Sequence, residues 1–290
     1  MGLTSKRAGR TGARPERTDG SKMDLRKNLI TLTTDFGTKD YFVGSMKGVI
    51  LGINPHAHFM DVTHEVPSHD VWGGAYVLGA AFKYFPQFTI NLVVVDPGVG
   101  SERRPIIAVT DKHYFIAPDN GVLSFVYSDP GFSRVIHLTA DHYFLTSMGS
   151  TFQARDIFAP AAAWLSKGVE VDRFGEEITD FVRFNIPAAR KEDEKVLAGE
   201  VVYIDKFGNS ITNVTSEDIR AFSEAAGENF KISVNSVIID KISPFYASGK
   251  KGEAGAVING NGYLEIFVNQ GDARRTLGLK RGEGVKLTFG

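Results

Sequence analysis

The chain of 290 residues contains no cysteine. That absence removes disulfides, thiolate metal ligands and a cysteine nucleophile, and fits a reducing compartment. Long apolar runs are missing as well, and nothing approaches the roughly eighteen residues that a membrane-spanning helix needs. Neither sign of charge dominates: 33 basic residues face 34 acidic ones, so no global field gathers nucleic acid or an anionic membrane. Familiar chemical signatures are also lacking. There is no Walker A, HExxH or GxSxG pattern. Gly98-Val99-Gly100 lacks the third glycine of a dinucleotide fingerprint, because Arg103 stands in that place. What remains is the expectation of a soluble, cytoplasmic protein with no nucleic acid and no membrane contact, and length enough for two domains.

The text is not uniform along the chain. Residues 1–27 hold eight Lys/Arg against three acids with no apolar periodicity, which reads as a flexible basic arm. From Leu29 strands and helices alternate. Leu29–Asp35, His58–Val66, Thr89–Asp96, Pro105–Asp111 and Tyr114–Pro118 read as strands, whereas Tyr41–Leu51, Val71–Tyr84 and Thr151–Lys167 read as helices, the last closed by Gly168. Residues 28–188 are therefore expected to form an α/β catalytic domain, a mostly parallel sheet covered by helices. The charged segment 189–195 reads as a linker. Residues 196–290 carry short β-branched or aromatic runs between Gly/Asn/Asp turns, which predicts an all-β, barrel-like domain.

Three predicted strands of the first domain end on an acid: Asp35, Asp61 and Asp96. Ligands of open α/β sheets sit beyond the carboxyl ends of strands, and converging carboxylates can accept hydrogen bonds from sugar hydroxyls, hold a cation or act as a base. Each acid can equally be an ordinary turn cap. Asp96 is the most informative, because Pro97-Gly98-Val99-Gly100 follows it and Arg103 lies seven residues on. His64 and His69 flank a proline turn at no recognised metal-ligand spacing; His69 fits a pocket wall better. In the second domain Tyr203–Ser210 reads as a hairpin-type turn. The amides of Asn259, Asn261, Asn269 and Gln270 suit the donor and acceptor edge of a purine, and Tyr246 offers a ring for stacking.

Together these motifs resemble the S-adenosyl-L-methionine (SAM) hydroxide adenosyltransferases, relatives of the bacterial fluorinase and chlorinase. The resemblance is carried by Thr33-Thr34-Asp35-Phe36-Gly37, Asp61-Val62-Thr63-His64, Asp96–Gly100 with Glu102-Arg103-Arg104, Pro118–Gly121, and Thr151-Phe152 with Arg155–Phe158. Asp205 with Phe207–Asn209, Gly262–Ile266 and Asn269–Gly271 extend it through the second domain. It implies a homotrimer whose sites lie between the first domain of one subunit and the second domain of its neighbour. It also implies SAM as substrate, with no cofactor and no metal. By motif position Asp35 would hold the ribose hydroxyls, with His69, Thr151 and Phe152 near the reacting carbon. Asp205 would take the methionine amine, and Asn209, Tyr246, Asn269 and Gln270 would surround adenine. Hydrolytic members set Asp, Arg and His around the attacking water. Asp96 and Arg103 match the first two, whereas Gln153 stands where the histidine would be.

The chemistry favours water over halide. A sulfonium leaves as a neutral thioether and needs no acid, so the task is to place a nucleophile in line with the ribose C5′. A carboxylate about 4 Å from a halide would repel it by roughly 4 kcal/mol at an effective dielectric of about 20, and the halogenating relatives carry an uncharged residue at the position of Asp96. Gln153 can orient a water but cannot titrate. Hydrolysis to adenosine and methionine is thus the expectation, beside a low-turnover SAM- or adenosine-binding protein and, less favoured, a halogenase.

Overall fold

Val93, Val94 and Val95 lie in a run of β-branched residues buried on both sides, the pattern of a strand covered on two faces. In the computed structural model, which describes residues 28–146, 149–227 and 229–290, that run belongs to β3 (Ile90–Val94). The basic arm expected over residues 1–27 lies outside the described residues. The first sheet comprises β1 (Leu29–Thr34), β2 (His58–Thr63), β3, β4 (Pro105–Thr110), β5 (Tyr114–Pro118), β6 (Phe132–Leu138) and β7 (Gly175–Ile178), in the order β2-β1-β3-β5-β4-β6-β7.

The expectation of a mostly parallel sheet fails for half of it. The pairs β1/β2, β1/β3 and β3/β5 are parallel, whereas β4/β5, β4/β6 and β6/β7 are antiparallel. The reason is connection length. Only Asp111, Lys112 and His113 separate β4 from β5, enough for a hairpin and far too few for a parallel crossover.

Helices cover both faces. Met46 and Ile50 of α1 (Phe42–Ile53) pack with the alanine-rich α3 (Ala159–Ser166) against Ile30, Leu32, Leu92 and Val94. On the opposite face Leu78 of α2 (Val71–Ala81) joins Val93, Ile106 and Phe115. α1 and α2 therefore leave the sheet on opposite sides, which makes the gap between β1 and β3 the topological switch point. The helix expected from Thr151 begins later, at Ala154, as a single wide π turn (Ala154–Phe158) that runs into α3. Gly168 follows α3 with φ +91°, as the C-terminal stop requires.

The second sheet is built from β8 (Arg190–Asp193), β9 (Val196–Ile204), β10 (Ser210–Thr215), β11 (Phe230–Val234), β12 (Val237–Ile239), β13 (Ala254–Ile258), β14 (Tyr263–Val268) and β15 (Gly284–Phe289). Its order is β12-β11-β15-β9-β10-β14-β13, with β8 pairing β9. Ile242, just past β12, bridges Ala256 of β13, so the two ends of the sheet approach and it curls nearly into a barrel. Two expectations need correction. The segment 189–195 is no irregular linker, because β8 forms a hairpin with β9 whose turn is fixed by Lys195 N–H donating to Asp193 (2.7 Å). Nor is the second domain all-β: α4 (Ser216–Ala226) starts from a capping box between Thr215 and Asp218, and α5 (Ala273–Leu277) is capped by Asp272.

The two domains meet along α2. Trp72 Nε1 donates to Val202 O (2.8 Å), the Tyr76 and Tyr203 rings stack at 4.3 Å, and Arg281 bonds Asp70 (2.8 Å). Among the described residues, no helix is long and apolar enough to cross a membrane.

Candidate functional site

β1 and β3 run side by side with Thr34 opposite Val94. Asp35 and Asp96 therefore emerge at the same end of the sheet, at the switch point. Asp61 does not join them as a free acid. Lys47 Nζ lies 2.6 Å from its Oδ2 and His64 Nε2 lies 3.2 Å from its Oδ1. Burial alone would raise its pKa, but the bonds from Lys47 and His64 outweigh that and hold it below the ordinary carboxylate range. His64 is a buried linker, its Nδ1 2.9 Å from Thr34 Oγ1. Among the described residues no cluster of metal-ligating side chains forms.

Past β3 the chain turns through Pro97–Gly100 and brings Arg103 back onto Asp96. Nε meets Oδ1 at 3.1 Å and Nη2 meets Oδ2 at 2.5 Å, a two-point pairing. The side chains are only 4% and 9% exposed for Asp96 and Arg103 respectively. The guanidinium lies 5.4 Å from the Phe158 ring centre, and its Nη1 is buried without a partner. The neighbouring Arg104 points elsewhere, bonded to Asp119 (2.7 Å) and Asp180 (2.7 Å). Alternation along an extended chain sends consecutive side chains to opposite sides, so one arginine faces the site and the other braces the fold.

The segment carrying Thr151, Phe152 and Gln153 flanks this pair. A Cβ at Gly100 (φ +82°) would lie 3.2 Å from Ser150 O, so the Asp96 turn and the 150–153 segment are in close contact. Phe152 sits among Phe36, Tyr41 and Phe42 at ring distances of 6.5, 6.2 and 5.3 Å, forming an aromatic wall beside Asp35. Thr151 is exposed. Gln153 Oε1 is buried with no partner, and its side chain lines a cavity of about 510 Å³ with Ser150, His142 and Asp156. The π turn that follows is a distortion often met at functional sites.

Asp35 Oδ2 accepts the backbone N–H of His69 at 2.9 Å, and His69 has φ +69°. A left-handed histidine is uncommon and persists only where its surroundings hold it.

The residues expected from the second domain form a separate group. Asp205 Oδ1 accepts from Phe207 N–H and Asn209 N–H, both at 2.9 Å, and Oδ2 accepts from Asn209 Nδ2 at 3.3 Å. The hairpin reading of this turn is therefore correct, and it uses much of the carboxylate's capacity. Asn269 Nδ2 donates to Gly249 O (2.7 Å), and Gln270 is exposed with φ +54°. Tyr246 is 45% exposed, and its hydroxyl donates to Glu265 (2.9 Å). Burial, with the hydrogen bond to Glu265 second, pushes the Tyr246 phenol up to about 12. Among the described residues no hydrogen bond, ion pair or ring contact joins Asp205, Asn209, Tyr246, Asn269 or Gln270 to Asp35, Asp96, Arg103 or Gln153.

Two residues inside the motifs quoted above have a role that the sequence does not assign. Glu265, buried in β14, is shared by Tyr246 and Asn259 Nδ2 (3.1 Å); a lone acid inside Leu264-Glu265-Ile266 was the available signal. Asn120 Nδ2 fastens Val95 O (2.9 Å) and so steadies the chain just before Asp96.

An α/β sheet with two acids at its switch point, joined to a curled β-sheet rich in amides, is a scaffold for a polar small molecule. The description "SAM hydroxide adenosyltransferase N-terminal domain" matches residues 30–175, and the corresponding C-terminal domain matches residues 199–286. The chain belongs to the SAM hydroxide adenosyltransferase family. It is 32% identical over 271 residues to a Methanocaldococcus jannaschii protein named (R)-S-adenosyl-L-methionine hydrolase, covering 90% of this chain and 96% of the relative. A fluorinase from Actinopolyspora mzabensis is 26% identical over 290 residues, with 90% and 97% covered. The crystal structure of an uncharacterised conserved protein from Thermotoga maritima shares the fold at a TM-score of 0.82 and 34% identity, covering 89% of this chain and 99% of that one.

Proposed function

We propose that this protein hydrolyses SAM to adenosine and L-methionine. The observation that carries the reading is the buried Asp96–Arg103 pair at the switch point, one strand away from Asp35. A water oxygen attacks the ribose C5′ opposite the sulfonium, the C5′–S bond breaks, and its electron pair leaves on the methionine thioether. The water surrenders one proton. Asp96 accepts hydrogen bonds from the water through the lone pairs that Arg103 leaves free, and takes that proton as the C–O bond forms. Arg103 holds the carboxylate in one orientation and favours its ionised form. Because the departing sulfur is neutral, no general acid and no metal are required.

The finer assignments follow from the same reading. Asp35 accepts the ribose diol. His69, Thr151 and Phe152 border the reacting carbon, and Gln153 orients the water. Asp205 receives the methionine amine, while Asn209, Tyr246, Asn269 and Gln270 enclose adenine. Since the two groups do not touch within one chain, a homotrimer that sets the second domain of one subunit against the first domain of the next would complete the site. The lack of cysteine fits a cytoplasmic location.

The test is incubation with SAM in ¹⁸O-labelled water containing chloride. Hydrolysis yields adenosine carrying the label at its 5′ oxygen, plus methionine; a 5′-chloro nucleoside, or no product at all, would overturn it. A slow binder is the second reading, favoured by the untitratable Gln153, and would show SAM affinity with negligible product. Light scattering reads the trimer.

A further inference from the structure

Asp70 stands at the N-cap of α2, where an aspartate ordinarily accepts a backbone N–H of the first turn, yet it makes no side-chain cap bond. Its carboxylate is bonded instead by Arg281, whose Nη1 reaches Oδ1 at 2.8 Å and Oδ2 at 3.1 Å. Gly73 gives it room, since a Cβ there would lie 2.6 Å from Asp70 Oδ2. Arg281 belongs to the other domain, in a loop tied to β9 by Gly282 N–H donating to Val201 O (2.8 Å). On the other side of this contact stands His69, left-handed, with its N–H held by Asp35. The histidine is thus pinned from both sides, by the sheet through Asp35 and by the second domain through Asp70.

We propose that Asp70 and Arg281 form an interdomain clasp that positions His69 for the substrate. The clasp rests on the assignment of His69 to the ribose pocket in the function proposed above. As an exposed pair, with side chains 49% and 25% exposed for Arg281 and Asp70, it adds little to global stability. Trp72–Val202 and the Tyr76–Tyr203 stack keep the domains docked without it. What it supplies is a fixed backbone at one residue that would otherwise relax from an unfavourable conformation. Arg281 and Asp70 act through His69 and are positioning residues.

The test compares the parent protein with Arg281→Met, which keeps the aliphatic stem, with Arg281→Lys, and with the same changes in a His69→Gly background. Amide exchange by NMR reads the clasp without ligand. The His69 amide should exchange about fivefold faster in Arg281→Met, with Leu32 in β1 unchanged and Arg281→Lys recovering part of the protection. Titration with SAM should show affinity falling by a similar factor in Arg281→Met, and no further fall when Arg281→Met is added to His69→Gly, because glycine adopts a positive φ without strain. Unchanged His69 exchange overturns the clasp whatever the ligand does. Faster exchange with unaltered SAM affinity, or an equal loss in the glycine background, overturns its link to substrate. If the parent does not bind SAM, the functional reading fails and the exchange result alone decides the clasp.

Discussion

The two halves of the candidate site are built on different physical plans. In the first domain Asp96 and Arg103 are almost completely buried and paired at two points, and the charge is held by short contacts on a strand end. In the second domain Tyr246 and Gln270 are exposed, while Asp205 spends its hydrogen bonds within its own turn and Asn269 spends its amide on Gly249 of the loop before β13. A buried ion pair is costly to desolvate and tolerates no loose geometry, which suits atoms that must take part in a reaction. Exposed rings and amides on turns adapt to a ligand and suit recognition. The difference teaches that turnover should depend on the first domain alone, whereas residues of the second domain should touch only affinity, and substitutions can test that division.

The largest effect should come from Asp96→Asn. The amide keeps the shape and removes the base, so turnover should fall by about a hundredfold or more. Affinity for SAM should hold within a few-fold. Arg103 loses its counter-charge, so the melting temperature should drop as well, and affinity must be measured well below it. Parental turnover in the Asn variant would break the division at its centre.

Asp35→Ala comes next. A charged acceptor on two hydroxyls is worth about 1.5–3 kcal/mol, so calorimetric affinity for both adenosine and SAM should weaken roughly ten- to a hundredfold. Equal affinity would remove the ribose role and leave Asp35 as the anchor of His69 alone.

Much of this architecture could be read before the fold was in hand, for identifiable reasons. β1 and β3 are β-branched and buried on both faces, so their ends, and with them Asp35 and Asp96, are legible as strand ends. The antiparallel half was not, because β4 and β5 look like any buried strands and only the three-residue loop between them distinguishes a hairpin from a crossover. α4 was overlooked although Thr215 and Asp218 spell a capping box, since its largely polar sequence resembles a loop. The contacts around His69 were beyond reach. A left-handed histidine has no local signal, and Asp70 and Arg281 lie 211 residues apart. Tertiary packing alone brings them together.

Gln153→His probes the edge of the catalytic group with a smaller effect. Gln153 Oε1 is buried and unpartnered, so it is free to accept from the nucleophile, and an imidazole would add a titratable partner. Turnover should rise several-fold, short of the hundredfold that full general-base assistance allows, because the cavity is shaped for an amide. The rate should also acquire an inflection in the imidazole range, about pH 6.5, that the parent lacks. An equal or lower rate with the fold intact by circular dichroism would make Gln153 a working part of the site as it stands.

The smallest effect belongs to the second domain. Tyr246→Phe keeps the ring and removes the hydroxyl that donates to Glu265, while Asn259 still bonds that carboxylate. SAM turnover should be unchanged and affinity should fall by no more than a few-fold, because the face available for stacking survives. The clearer signature is in alkali. Burial and the hydrogen bond to Glu265 raise the folded phenol to about 12, above the ordinary tyrosine value of about 10. Between those values the unfolded chain has lost the proton that the folded chain keeps, so stability declines as pH climbs through that window. In Tyr246→Phe this part of the decline should vanish, and absorbance at the tyrosinate band should lose the component that titrates near pH 12. A large loss of turnover in the phenylalanine variant, with alkaline behaviour unaltered, would place Tyr246 with the chemistry and erase the contrast between the two domains.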